Sequence, residues 1–147
     1  MTSHFVRNAM LGTAVACAVA NAVVHLILVP SHLEEKPYVG VLFVVGSVVM
    51  LAVAAGLLLL RRPIGAWLVG SATSIGMIVG FLLSRTVGLP GYQEDEWEVP
   101  YGPLALVVEA LFVVAFAVWL GASGGERAAE PRGGVTAPVK ALAGRSH

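Results

Sequence analysis

Charge is scarce in this sequence. Asp, Glu, Lys and Arg make up 12% of its 147 residues and hydrophobic residues 57%, against a charged share of roughly 25% in an ordinary soluble domain. A water-soluble fold of this length has nowhere to hide that much apolar surface, so the expected solvent is a lipid bilayer. Neither sign is in excess, the formal net charge being zero. That excludes nucleic acid as a partner, because phosphate binding needs clustered Lys and Arg to displace counterions. Cysteine is nearly absent. Cys17 alone cannot form an intramolecular disulfide, a CxxC redox pair or a Cys-rich zinc site, which excludes thiol oxidoreductase chemistry. A Ser-His-Asp arrangement and a Gly-rich phosphate loop are also missing, so an enzyme is the least supported class.

What the chain does have is long uncharged runs. A hydrocarbon core about 30 Å thick needs roughly 20 apolar residues in a helix. Four segments meet that length, at about 9–29, 39–60, 64–84 and 103–120, each bounded by charge, Pro or Gly. The first is expected to be a span and not a signal peptide, because its apolar run continues past the small-x-small stretch Ala20, Asn21, Ala22 to Val29.

Orientation follows from Lys and Arg. Arg7, Arg61, Arg62, Arg127, Arg132, Lys140 and Arg145 fall at the amino end, in the second connection and in the tail, and only Lys36 and Arg85 in the other two loops. This predicts both termini in the cytoplasm, with loops 30–38 and 85–102 outside. Ala, Val, Gly and Leu dominate and Arg outnumbers Lys seven to two, a bias common in GC-rich bacterial genomes, so the expected location is a bacterial cytoplasmic membrane.

Small residues mark the expected seams between helices, since lipid offers no hydrophobic drive for association and close backbone approach strengthens dispersion contacts. Ala14, Ala18 and Ala22 form one row on the first helix, and Ala72, Gly76, Gly80 and Ser84 form another on the third. Both are read as internal seams, ahead of a homodimer face or a contact with another membrane protein. Residues 1–121 form the predicted transmembrane domain. Residues 122–147, rich in Gly, Ala, Pro and Arg, are expected to be a disordered cytoplasmic tail.

Ionisable groups inside a membrane segment are costly and are functional candidates by default. His25 lies near the outer end of the first helix and Glu109 about two turns into the fourth. His32, Glu34 and Glu35 follow in the first outer loop, and Arg85 closes the third helix. Asn21 and Cys17 continue a polar stripe below His25. Imidazole and carboxylate are ligands for transition metals, so His25, His32, Glu35 and Glu109 form a candidate site for Cu or Zn. No HxxxH or HExxH spacing pre-sets its geometry. The alternative is structural: Glu109 pairs with Arg85 or hydrogen-bonds His25, with Asn21 and Glu34 in the same pocket.

The second outer loop carries Glu94, Asp95, Glu96 and Glu98 among Tyr92, Trp97 and Tyr101. LPG is a turn signal, and the acidic run lacks the alternating ligands and Gly of a calcium loop. A solvated lid over the polar cluster is expected there. The stretches HLILVPSHLEEKPYVGVLF and SRTVGLPG and the Glu of the fourth helix resemble a group of small, uncharacterised four-helix integral membrane proteins of actinobacterial type. The resemblance spans most of the chain except the tail. It implies no settled activity, only that His25, His32, Glu35, Arg85 and Glu109 belong to a shared pattern.

The expected fold is therefore an all-α membrane protein, a four-transmembrane-helix antiparallel bundle with a polar pocket opening outwards. The expected function is a non-catalytic binding or accessory protein whose His/Glu pocket holds a transition metal or small polar ligand. The alternatives are a structural subunit of a larger membrane complex and a proton-coupled small transporter using Glu109, since a membrane carboxyl can alternate between protonated and ionised forms.

Overall fold

The computed structural model describes residues 2–129. Four helices make up the fold: α1 (Thr2–Glu35), α2 (Pro37–Leu59), α3 (Ile64–Thr86) and α4 (Tyr101–Ala129). All four are long and apolar enough to cross a membrane, and among the described residues there is no strand beyond an isolated bridge between Leu89 and Tyr92.

The boundary between α1 and α2 departs from expectation. The apolar run was expected to stop at Pro30 and give way to a loop over 30–38, yet α1 continues through Pro30 to Glu35. A proline this close to a helix end removes a single ladder bond. Ser31 Oγ and His32 Nδ1 both donate to Leu28 O, each at 2.9 Å. The break falls instead at Lys36, extended at φ −149 and ψ 97, the conformation that Pro37 favours in the residue before it. His32, Glu34 and Glu35 therefore ride on the last turns of α1. The tail boundary moves as well. Helix α4 runs past Leu120 to Ala129, with Ser123 Oγ donating to Trp119 O at 2.8 Å. The rest of the expected tail, 130–147, lies outside the described residues.

Helix α1 packs most closely against α2 and α4. Ala14, Ala18 and Ala22 are each 0% exposed, so this row is a true seam. Toward the other end of α4, Trp67 of α3 meets the rings of Phe112, Phe116 and Trp119 at 5.4–5.6 Å. Gly70 is the close-approach position there. A Cβ on it would overlap the Phe112 ring and lie 2.8 Å from Val53 Cγ1.

The row on α3 is not a seam. Ala72 and Gly76 are exposed, and a Cβ built on Gly76 or Gly80 meets nothing within 4 Å. The buried residues of α3 are Trp67, Gly70, Ser71, Ser74 and Ser84, so of the row only Ser84 is buried. Gly76 stands about 200° around the helix from Ser74. Small size was legible at these positions, but the direction they face was not. Gly76, Gly80 and Ser84 line a cavity of about 370 Å³ between α2 and α3.

Candidate functional site

The end of this cavity nearest the 87–100 connection gathers the ionisable residues. His25 and Glu109 line it and are 6% and 1% exposed. His25 Nδ1 lies 3.0 Å from Asn21 O. A carbonyl only accepts, so Nδ1 carries the proton and Nε2 is the lone-pair nitrogen of the neutral ring. That Nε2 lies 3.8 Å from Glu109 Oε1, too far for a direct hydrogen bond. Asn21 Nδ2 donates to the same oxygen at 3.4 Å and also touches Met77 Sδ at 3.5 Å.

His32 repeats the arrangement two turns further along α1. Its Nδ1 donates to Leu28 O at 2.9 Å, and its Nε2 lies 3.5 Å from Glu98 Oε1. The other Glu98 oxygen accepts from Arg85 Nη2 at 3.1 Å. Arg85 also donates to Glu96 O at 2.9 Å and Ser84 Oγ at 3.0 Å, and its guanidinium sits 3.7 Å above the Phe81 ring, so its position is set from four sides. Glu98 is held at φ +48, a left-handed backbone that costs a non-glycine residue about 1–3 kcal/mol. Its hydrogen bond from Arg85 opposes that cost.

Ligand-capable atoms of His32, Glu94 and Glu98 lie within 4.8 Å of one another. Glu94 is anchored twice: its Oε2 accepts from the Tyr92 hydroxyl and its backbone N–H donates to Ser84 O at 2.9 Å. Burial first, then the hydrogen bond to Glu94 and its charge, hold the Tyr92 phenol well above its ordinary range.

The expected quartet of His25, His32, Glu35 and Glu109 is divided. The Phe43 ring stands between the two imidazoles, 4.8 Å from His25 and 4.5 Å from His32. Seven residues of unbroken helix separate the histidines by a rise of about 10.5 Å, and one ion cannot bridge that. Glu35 is exposed, as is Glu34. Arg85 binds Glu98, whereas the contacts of Glu109 are His25 and Asn21. Cys17 is buried in the apolar core.

Glu94 and Glu98 are the residues that sequence reasoning passed over. They stand in an acidic run without periodicity, and their inward turn depends on how the loop is pinned. Leu89 and Tyr92 close the LPG turn with reciprocal backbone bonds of 2.7 and 2.9 Å, and Gly91 at φ +65 makes that turn possible. The Tyr38 hydroxyl then donates to Pro90 O at 3.1 Å, tying the loop to α2. Compared with protein-family models, curated proteins and solved structures, the chain matches none.

Proposed function

We propose that this chain is a multi-pass protein of a bacterial cytoplasmic membrane that binds a divalent transition cation, Zn or Cu, at its outer face. In this reading the helices cross antiparallel with both termini inside, an orientation that the Lys and Arg distribution supports. The ligands are His32, Glu94 and Glu98. What supports the reading is that each of the three is oriented by a further bond: His32 by Leu28 O, Glu98 by Arg85 and Glu94 by Tyr92. Metal-ligating imidazoles and carboxylates are commonly fixed in this way. The 3.5 Å from His32 Nε2 to Glu98 Oε1 fits the edge of a tetrahedron with bonds of about 2.1 Å, which is about 3.4 Å. An imidazole with two carboxylates leaves room for water or a partner's donor, as suits a carrier or accessory protein.

The test is zinc and copper titration of the detergent-purified protein with elemental analysis. Near-stoichiometric metal is expected, lost in His32→Ala and retained in His25→Ala. Failure of the wild type to retain either metal, or unchanged affinity in His32→Ala, would reject the site.

A second reading is favoured by one observation, the approach of a carboxyl that is 1% exposed to an imidazole across 3.8 Å. Such a pair can pass a proton through one intervening oxygen. Under it, Glu109→Gln abolishes proton flux in liposomes, and unchanged flux removes it.

A further inference from the structure

The cavity continues beyond the cluster just described. From His25 and Glu109 it runs between α2 and α3, past Val49 and Thr73 and along Gly76 and Gly80. Its α2 wall includes Leu42 and Val45, which are 58% and 53% exposed, so the cavity opens sideways onto the surface that a bilayer would cover. About 370 Å³ is the size of a small-molecule site. At its polar end the 3.8 Å between His25 Nε2 and Glu109 Oε1 is too long for a direct hydrogen bond. A single hydroxyl oxygen seated there can reach both at about 2.8 Å.

We infer that this cavity binds a neutral amphiphile entering from the bilayer, with an alkyl or prenyl chain along Gly76 and Gly80 and a hydroxyl-bearing head of the hydroquinone class between His25 and Glu109. Charge selects the head. Glu94 and Glu98 disfavour an anion, and Arg85 is already bound to Glu98. The two glycines shape the tail channel, since a side chain on either would point into open space.

Decyl-substituted benzohydroquinone is the probe, and decanoate is the anionic control with the same chain. Binding is read by mass spectrometry of the intact protein released from micelles. The expected result is saturable binding of the hydroquinone, decanoate at least tenfold weaker, and hydroquinone affinity reduced at least tenfold in Gly76→Leu/Gly80→Leu and in Glu109→Gln. Because the leucines enter open space, the double variant should keep the wild-type melting temperature. It should also keep its zinc affinity, which separates this site from the one formed by His32, Glu94 and Glu98. Equal binding of decanoate, or unimpaired hydroquinone binding in the double variant, would overturn the inference. So would a double variant that converts a wild-type dimer to monomer, because the glycines would then face a second copy of the chain.

Discussion

His25 and His32 occupy one face of α1 but are separated by a ring that neither can pass, Phe43 of α2, at 4.8 and 4.5 Å from the two imidazoles. Each histidine directs Nδ1 to the carbonyl four residues earlier and Nε2 toward a different carboxylate. This end of the bundle thus holds two imidazole–carboxyl pairs, and substitutions in one should leave the other nearly intact.

Zinc affinity therefore responds unequally to the two carboxyls. Glu98→Gln, which removes a ligand, should weaken binding by more than the roughly 10–100-fold typical of losing a group that only orients one, whereas Glu109→Gln changes it less than about twofold. Arg85→Gln, which removes only the group orienting Glu98, should fall between them. Isothermal titration on the three variants gives the order, and an Arg85→Gln effect as large as that of Glu98→Gln would show that Arg85 does more than orient.

The glycines of α3 should separate by thermal stability. At Gly70 an added methyl group meets Phe112 and Val53, while at Gly76 it meets nothing within 4 Å. Gly70→Ala should lose about 1–3 kcal/mol, the usual cost of overpacking, and Gly76→Ala should be neutral or slightly stabilising through its better helix propensity. Melting of both in the same detergent decides it. Equal losses would restore the seam reading of the whole row.

Tyr92 provides a pH signature. Its phenol is pushed above the ordinary 10.0, chiefly by burial. The unfolded chain therefore releases that proton first as pH rises, while the folded chain keeps it, so the contribution to stability is present below about pH 10 and is lost above it. Tyrosinate absorbance, taken as the difference between wild type and Tyr92→Phe, should appear well above pH 10. Stability should decline less steeply over that range in the variant.

Orientation can be read with thiol reagents, because Cys17 is 6% exposed and gives little background. Asp95→Cys should be labelled by an impermeant maleimide on intact cells, and Arg62→Cys only after permeabilisation. The reverse pattern would put the proposed site on the cytoplasmic side.

The number of helices, their apolar character and their approximate limits follow from the sequence, because a bilayer-spanning helix must bury its own backbone bonds over a set length of uncharged residues. His25 and Glu109 could be picked out on the same ground, as ionisable residues within such runs. Direction could not be read this way. That α1 continues through Pro30, that Gly76 and Gly80 face open space, that Arg85 chooses Glu98, and that Glu94 and Glu98 turn in to meet His32 were all decided by packing. The reason is that periodicity within a helix says which residues share a face, but the contact between faces, and the path of a loop with no period, depend on partners distant in the chain.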